Sequence, residues 1–566
     1  MHIVLVSLNS KFIHSNLALR YLRAALRRQG SSNTCQLMEF QINDDLRRVA
    51  ASIGRQRPDV LGFSCYLWNI EQTLALASDL KAVLPDVWII LGGPEAGARA
   101  AELLEASPAV DYVVSGEGER AFRELIEALE EGRPQLDLPG VWRRAAAGEV
   151  VGQATTSPLP PEEIPAPYAM DELDELAHKL VYYESSRGCP FRCSYCLSGG
   201  DRVRFLPLPR VFDELRVLLQ ANIPLIKFVD RTFNCHPERA QQIMEFLLRE
   251  RGDSRFHFEI CADLLDETML DFLRQVPPGV FQFEIGIQDT DPETLQAIGR
   301  RMNWDKLAAN VRALREVGNI HLHLDLIAGL PEQTWSTLRR SFDMVIGLRP
   351  HRLQLGFLKV LPGTAIAAQV KECEYQVSAA PPYEVLQSKW LSFVELNKLH
   401  AMEELLESYY NSGLLEETLP GVWSEQWTSP FDFFSEFADW WLARGHEKVK
   451  HGVDELLHLA VDFLPPTPLV RGLLELDRAR VSPRFPATFK LPAAYRSAWE
   501  SYLNQHLAEF APRSYKQVTR SVFPVWLNEE TLGYLGQPAA AVAVVDQREK
   551  RLHGWVTLGD GLPDSL

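Results

Sequence analysis

The sequence predicts an α/β protein in three parts: an N-terminal doubly wound parallel sheet, a central partial (β/α)6 barrel and a mainly α-helical C-terminal domain. Three patterns support this prediction. Between residues 1 and 131, short apolar runs alternate with amphipathic segments, as in parallel sheets covered by helices. A second series of six such pairs begins near Lys179. Beyond Pro381, aromatic residues recur at helical spacing.

Length, composition and charge narrow the class of protein. The chain has 566 residues, 46% of them hydrophobic and 23% charged, which fits about three globular domains. A net charge of −17 argues against broad nucleic-acid binding, because such binding depends on basic residues that neutralise phosphates. The N-terminus lacks a basic leader, and no run approaches the ~20 apolar residues that span a bilayer. We therefore expect a cytoplasmic protein that does not contact membranes.

The first domain is predicted at residues 1–131. Its expected strands are residues 2–6, 36–40, 60–64, 87–91 and 112–114. Its expected helices are residues 16–28, 71–84, 98–105 and 119–130. Ligands of such sheets bind beyond the carboxyl ends of the strands, and several loops there are rich in glycine in this chain. A proline-rich linker follows at residues 132–178, with a predicted hairpin at residues 140–151 whose turn contains Gly148.

The second domain is predicted at residues 179–380. Its expected strands are residues 180–185, 226–229, 257–260, 280–287, 321–327 and 352–358. Its expected helices are residues 209–220, 237–250, 266–275, 291–298, 304–317 and 335–347. Six such units predict an open, partial barrel whose site lies at the carboxyl ends of the strands.

Three cysteines follow the first of these strands, at Cys189, Cys193 and Cys196. Thiolates select zinc, cuprous copper or iron-sulfur clusters. A closed site needs four protein ligands, yet no fourth cysteine or histidine follows within the loop. The three thiolates can hold three irons of a four-iron cluster and leave the fourth iron open to a substrate. The alternative is a zinc site completed by a distant ligand, such as Cys235, His236 or Cys261.

The cysteine loop resembles the signature of the radical S-adenosylmethionine (SAM) enzymes. The resemblance implies that the three cysteines hold a 4Fe-4S cluster, which binds SAM and cleaves it reductively to a 5′-deoxyadenosyl radical. Tyr195 matches the aromatic residue expected near the adenine of SAM. By the same resemblance, Asp230, Glu284, Gln288 and Asp325, at the ends of later strands, contact SAM. A one-electron reductant of the flavodoxin or ferredoxin type is the implied partner.

The first domain has no G-x-G-x-x-G after its first strand, so the sequence does not predict a conventional dinucleotide site. Its Gly-Gly-Pro and Gly-Glu-Gly-Glu loops instead resemble those of the N-terminal domain of cobalamin-dependent radical SAM enzymes. The cobalamin contacts that this resemblance implies are Ser64, Tyr66, Leu67, Trp68, Gly92, Gly93, Pro94, Gly116, Glu117 and Gly118. The Asp-x-His-x-x-Gly motif that supplies histidine to cobalt elsewhere is missing. The lower axial position of cobalt is then water, empty or guarded by residues 66–69.

The third domain is predicted at residues 381–566, with helices at residues 383–410, 453–463, 473–479 and 495–510. A cluster of aromatic residues between Trp423 and Trp441 is interpreted as core packing, with some members as candidates to close a substrate cavity. Extended segments are expected at residues 541–545 and 555–558. The region resembles the additional C-terminal domain of one subgroup of the family, and it contains no recognisable catalytic motif.

The resemblance implies a methyltransferase that moves a methyl group from SAM, through methylcobalamin, to an unactivated carbon of a small molecule or nucleoside. One alternative keeps both cofactors but catalyses a rearrangement or oxidation without methyl transfer. A second is modification of a tRNA nucleoside, with the C-terminal domain as an RNA docking module. A third is a non-catalytic zinc or cobalamin sensor. The sequence does not identify the substrate.

Overall fold

A computed structural model describes residues 1–27, 33–153, 158–170, 173–481, 503–506, 509, 522–525, 527, 529–537, 541–548 and 550–557. The chain divides into two compact units. The first consists of Met1–Thr334, Leu348–Pro350 and Phe357–Ser392. The second consists of Trp335–Gly347, His351–Gly356 and the described part of Phe393–Leu566.

The first sheet has seven strands in the order β2-β1-β3-β4-β5-β6-β7. They are β1 His2–Asn9, β2 Thr34–Gln41, β3 Val60–Ser64, β4 Trp88–Gly92, β5 Tyr112–Val114, β6 Val141–Arg144 and β7 Val150–Gly152. The first five are parallel, whereas β6 and β7 add antiparallel to the β5 edge. The hairpin predicted within the linker therefore forms, but it extends the sheet of the first domain. Gly148, with φ +91°, lies in its turn.

Helices cover both faces of this sheet. They are α1 Leu17–Leu26, α2 Leu46–Gly54, α3 Ile70–Val83, α4 Pro94–Ala98, α5 Ala100–Ala106 and α6 Gly118–Glu130. Alternate residues of β1 enter separate cores, with Val4 and Val6 on one face and Ile3 and Leu5 on the other. The helix α2 was not predicted, although the Asp45 side chain caps its first turn. The single helix predicted at residues 98–105 is instead two short helices that meet at Arg99.

The second sheet of the first unit contains five parallel strands in the order β14-β13-β12-β11-β8. Its strands are β8 Leu180–Tyr183, β11 Leu225–Phe228, β12 Arg255–Ile260, β13 Phe281–Gln288 and β14 His321–Ala328. A small antiparallel pair, β9 Ser186–Arg187 and β10 Arg204–Phe205, follows β8. The helices are α7 Leu208–Gln220, α8 Pro237–Glu250, α9 Glu267–Leu273, α10 Pro292–Ala297 and α11 Trp304–Val317. The predicted alternation of strands and helices is confirmed.

The next elements are α12 Trp335–Ile346 and β15 Arg352–Phe357; α12 and most of β15 belong to the second unit. A short antiparallel pair, β16 Gln376–Val377 and β17 Val385–Gln387, completes the first unit. The helix predicted from residue 383 begins only at Phe393. Tyr383 has a φ of +58° and residues 385–387 pair as a strand, and neither conformation fits a helix.

The second unit is mainly helical in its described part. Its remaining helices are α13 Phe393–Leu405, α14 Thr418–Glu425, α15 Pro430–Arg444, α16 Val453–Phe463, α17 Pro468–Val481 and α18 Glu529–Tyr534, with a π-helical turn at Leu406–Asn411. The strands β18 Val522–Val525, β19 Ala541–Asp546 and β20 Arg551–Thr557 form an antiparallel sheet. Phe431, Phe433, Phe434, Phe437 and Trp441 of α15 are buried, as core packing requires. Most of the helix predicted at residues 495–510, and Leu558, lie outside the described residues.

Short 3-10 turns connect several of these elements. They lie at Pro161–Glu163, Asp174–Leu176, Phe233–Cys235, Ala262–Leu264, Ala365–Gln369 and His446–Lys448. Across the described ranges, no helix combines the length and apolar character needed to cross a bilayer.

Gly93 is expected to be essential for the packing of the first sheet. It has φ +103°, and a Cβ there would lie 2.5 Å from the Cys65 carbonyl oxygen. Gly132 also has a positive φ, +70°, but a Cβ there would meet open space. The Gly132→Ala variant therefore measures the cost of a positive φ without a steric clash. We expect Gly93→Ala to lower the free energy of unfolding by about 1–3 kcal/mol more than Gly132→Ala. Urea titration followed by circular dichroism would measure both, and equal losses would contradict this packing role.

Candidate functional site

The three cysteines lie on the loop between β9 and β10. The Cys189 amide donates to the Asp201 carbonyl at 3.1 Å, and the Gly200 amide donates to the Phe191 carbonyl at 2.8 Å. Within the loop, the Cys196 amide donates to the Cys193 carbonyl at 3.1 Å. These bonds fold the segment into a compact turn and leave all three thiols free of disulfides.

Two glycines allow this loop to close on itself. Gly188 has φ +92°, and a Cβ there would lie 2.5 Å from the Arg202 carbonyl oxygen. A Cβ on Gly199 would lie 2.6 Å from the Cys193 carbonyl oxygen. Since real Cβ contacts are not that short, both positions need glycine, and the cysteine spacing is fixed by backbone packing.

The surroundings of the thiols suit an anionic metal cluster. Burial raises the pKa of the Cys196 thiol, while the Ser198 amide and the Arg231 guanidinium act in the opposite direction. The Arg300 Nη1 atom lies 3.6 Å from Cys193 Sγ. Three soft donors on one loop, with two cations nearby, therefore fit three ligands of an iron-sulfur cluster.

The distant ligands of the zinc alternative have other surroundings. Burial raises the pKa of Cys235 to about 11 and that of Cys261 to about 12. The His236 ring accepts a hydrogen bond from the Arg239 amide at 3.4 Å and caps α8. Among the described residues, no three histidine, cysteine or carboxylate side chains converge as ligands of a single metal ion.

Asp230 anchors the entry to the cysteine loop. Its carboxylate accepts hydrogen bonds from the Ser185 amide at 2.9 Å, the Ser185 hydroxyl at 2.7 Å and the Ser186 hydroxyl at 2.6 Å. Burial raises its pKa, although these bonds favour the ionised form. The side chain predicted to contact SAM is thus occupied in fixing the backbone that precedes Cys189.

Glu284 and Asp325 lie on the same face of adjacent strands, and each has a close partner. The Glu284 carboxylate is 2.9 Å from both Lys227 Nζ and His257 Nε2. Burial acts to raise its pKa, but His257 and Lys227 outweigh burial and lower the pKa to about 2. Asp325 is 3.1 Å from His323 Nε2, and burial raises its pKa despite this contact.

The other two residues predicted to contact SAM lie near the cysteine loop and the end of β13. Burial raises the pKa of the Tyr195 hydroxyl, the nearby Cys193 thiol adds to this rise, and the charge of Arg300 acts against it. Gln288 ends β13 with φ +72°. Its Nε2 atom would lie 2.3 Å from a Cβ on Gly286, so Gly286 leaves room for the glutamine side chain.

Apart from Glu284, the polar row on the strands of the second sheet was not predicted. Tyr182 of β8 pairs in register with Lys227, Lys227 pairs with His257, and Glu259 pairs with Glu284. These positions alternate with buried apolar residues, and Lys227 lies 3.5 Å from Glu259. The signal was present in the sequence as polar residues at every second position of otherwise apolar strands.

On the first sheet, the loop after β3 is held rigidly. Asn69 accepts a hydrogen bond from the Tyr66 amide at 2.8 Å and donates to the carbonyls of Leu8 and Ser64. Tyr66 and Trp68 stack with ring centroids 4.4 Å apart. Trp68 remains 43% exposed, so it is available to a ligand. Leu67 lies between them and is half-buried.

The glycine-rich loops of the first sheet have a structural role within the protein. Gly92 ends β4, Gly93 allows the close approach of Cys65, and Pro94 begins α4. Gly116 has φ +77°, and a Cβ on Gly118 would lie 3.2 Å from Leu22. These positions are therefore explained by packing, independently of a cofactor.

Glu117 connects its loop to the cysteine hairpin. It forms an ion pair with Arg204, lies 3.5 Å from Arg187 and accepts from the Leu159 amide at 2.8 Å. Burial acts to raise the pKa of Glu117, but these partners outweigh it and lower the pKa. The glutamate predicted to contact cobalamin is thus engaged in ion pairing.

The carboxyl ends of the first sheet also contact the start of the second. His14 Nδ1 lies 2.7 Å from the Tyr182 hydroxyl, and the Leu180 amide donates to the Ile13 carbonyl at 2.8 Å. The charge of Arg231 acts on both Tyr66 and Cys196. Arg231, directly after Asp230, thus influences one residue of each candidate cofactor loop.

Comparison with known families explains this arrangement. The B12 binding domain matches residues 3–126, and the Radical SAM superfamily matches residues 183–345. The chain belongs to the cobalamin-dependent radical SAM family. Residues 371–490 of this radical SAM protein match a third family, described as Protein of unknown function (DUF4080).

Two curated relatives match more than half of the chain. The cobalamin-dependent radical SAM methyltransferase TokK of Streptomyces tokunonensis is 28% identical over 358 residues, which cover 58% of this chain and 51% of TokK. The hopanoid C-3 methylase of Methylococcus capsulatus is 29% identical over 354 residues, covering 58% of this chain and 63% of the methylase. The chain thus spans about half of TokK.

The fold is shared with a solved structure. The cobalamin-dependent SAM radical enzyme OxsB, with aqua-cobalamin and SAM bound, gives a TM-score of 0.59 at 18% identity, covering 92% of this chain and 78% of OxsB. The predicted cofactors of this radical SAM enzyme, a 4Fe-4S cluster, SAM and cobalamin, are confirmed at the level of the family. The individual cofactor contacts stay predictions.

Asp230→Ala is expected to impair assembly of the cluster without unfolding the protein. Removing the acceptor of three hydrogen bonds frees Ser185 and Ser186, so the loop loses its anchor. We expect cluster retention about 10-fold weaker than in the wild type. Iron and sulfide content after anaerobic reconstitution would measure this, with Asp213→Ala, at an exposed aspartate of α7, as control. A full iron content in Asp230→Ala would contradict the role.

Proposed function

We propose that this enzyme transfers a methyl group from SAM, carried by cobalamin, to an unactivated carbon of its substrate. The observation that carries the proposal is the ion pairing between the cysteine hairpin and the segment that follows β5. Arg187, two residues before Cys189, lies 3.5 Å from Glu117 and 2.6 Å from Glu119. The two cofactors would then face one cavity, which transfer between them and a substrate requires.

The chemistry explains why both cofactors are needed. An unactivated C–H bond has no acidic proton, so a radical route replaces displacement. When bound, the cluster supplies the electron that cleaves SAM, and cobalamin carries the methyl group. Overall, R–H, two SAM and two electrons give R–CH3, S-adenosylhomocysteine, methionine and 5′-deoxyadenosine, and the hydrogen removed from R–H ends in the deoxyadenosine.

The chain's own residues would hold and orient these groups. Cys189, Cys193 and Cys196 would ligate the cluster, and the exposed ring of Trp68 would pack against the corrin. Tyr195 would contact the adenine. The polar row around Lys227 and Glu284, with its strong ion pair, offers hydrogen-bonding groups to a polar substrate.

The names of the relatives support methyl transfer as the reaction. TokK is described as a methyltransferase and the Methylococcus protein as a methylase. Each match covers 58% of this chain. The substrate of this enzyme is a separate matter, because the shared region covers only part of those proteins.

A paired assay with labelled SAM tests this proposal. After anaerobic reconstitution with iron, sulfide and cobalamin, we expect the wild type to form both 5′-deoxyadenosine and S-adenosylhomocysteine. Cys193→Ala should form no deoxyadenosine, whereas Cys35→Ala, which changes a thiol of β2, should behave as the wild type. Methyl-deuterated SAM would label the product by mass. Deoxyadenosine and consumed substrate without a labelled methyl product would favour the non-methylating alternative.

Trp68→Ala is expected to weaken cobalamin binding by about 1–2 kcal/mol, because it removes an aromatic ring that stacks on Tyr66 and faces solvent. Absorbance titration with hydroxocobalamin would measure the dissociation constant. Trp390→Ala, at a half-buried tryptophan of the same unit, is the matched control. An unchanged dissociation constant for cobalamin in Trp68→Ala would show that Trp68 does not contact the cofactor.

A further inference from the structure

A cavity of about 970 Å³ lies beside the cysteine loop. One wall is formed by Pro190, Phe191 and Arg192, which lie between the first two cysteines. The other wall is formed by the segment that follows β13 and reaches Trp304 at the start of α11. The cavity is therefore built partly from the loop that would hold the cluster.

The charge of this cavity is opposite to that of the protein. Arg192, Arg300 and Arg301 line it, and its lining contains no aspartate or glutamate. The whole chain has a net charge of −17. Arg192 and Arg301 are exposed, and no carboxylate among the described residues forms an ion pair with either. Phe191, Met302 and Trp304 add apolar surface between these charges.

The buried end of the cavity reaches the cluster ligands. Arg300 donates a hydrogen bond to the Gly286 carbonyl and lies 3.6 Å from Cys193 Sγ. Its charge also acts on Tyr195 and Cys261. A partner seated in this cavity is thus separated from Cys193 by a single side chain.

We propose that this cavity is the docking surface for a small acidic one-electron carrier protein. Reductive cleavage of SAM consumes one electron that the chain itself cannot supply. A reduced flavodoxin would pass from hydroquinone to semiquinone, and the electron would reach the cluster and then the sulfonium of SAM. The bond from sulfur to C5′ breaks, giving methionine and the 5′-deoxyadenosyl radical. Acidic residues of the carrier would pair with Arg192 and Arg301, while its apolar centre would contact Phe191 and Trp304.

The proposal rests on reductive SAM cleavage and not on methyl transfer. Its test uses the reconstituted full-length enzyme and purified flavodoxin as probe. The double variant Arg192→Glu with Arg301→Glu reverses the charge of the rim. Arg312→Glu with Arg471→Glu makes the same change in net charge at exposed arginines of α11 and α17 outside the cavity lining.

The dissociation constant for flavodoxin, measured by calorimetry at low salt, should rise about 10-fold in the rim variant and stay near the wild-type value in the control. The difference should shrink at high salt, because exposed charges are screened. The ratio of flavodoxin-driven to dithionite-driven deoxyadenosine formation should fall in the rim variant only. This ratio cancels any effect of the substitutions on the cluster itself.

Equal dissociation constants for wild type and rim variant would overturn the proposal, as would an equal loss in the control. Binding of a small anionic metabolite in the cavity would also leave flavodoxin affinity unchanged in the rim variant. SAM cleavage with dithionite but without flavodoxin binding would reject the docking surface and leave the radical SAM activity intact. Flavodoxin binding that follows the predicted pattern, without dithionite-driven cleavage, would support the surface and reject the proposed function.

Discussion

The ion pairs around Arg187 are the interaction on which the rest of the site depends. Arg187 lies two residues before Cys189 and contacts Glu184 at 2.7 Å, Glu119 at 2.6 Å and Glu117 at 3.5 Å. Burial acts to lower its pKa, but Glu184 and Glu119 outweigh burial and raise it. Partly buried pairs of this kind are costly to break, since one loss leaves a charge without a partner. The network fixes the cysteine hairpin against the carboxyl end of the first sheet.

These ion pairs join the cobalamin domain of the first unit to its radical SAM domain. The two domains can act on one substrate only if their ligand loops lie close together. The contacts of Ile13 and His14 with Leu180 and Tyr182 supply a second link, on the other side of the same sheet edge. The predicted linker contributes through Leu159, whose amide donates to Glu117 and whose carbonyl accepts from Arg204.

Much of the architecture was predictable because its signals are local. Val60–Ser64, Pro237–Glu250 and Trp304–Val317 were predicted to the residue, since apolar periodicity and terminal proline or asparagine mark them. The cysteine loop was interpreted from its spacing together with its resemblance to the radical SAM signature. The errors have tertiary causes. The hairpin of β6 and β7 is predicted as part of the linker. Its polar and apolar pattern does not show that β6 pairs with the edge strand β5.

The sequence by itself predicted the fold class and the cofactor family, because motif spacing and periodicity are properties of neighbouring residues; the ligand role of the three cysteines stays a prediction. Only the tertiary structure decided what each polar side chain does. Asp230 and Glu117 lie in motif positions that predict cofactor contacts, yet the fold gives them Ser185, Ser186, Arg187 and Arg204 as partners. The polar row across Lys227 and Glu284 and the arginine-lined cavity beside Phe191 likewise depend on register between segments far apart in the chain. Packing between distant segments sets this register, and the residue pattern of a single segment carries no information about it.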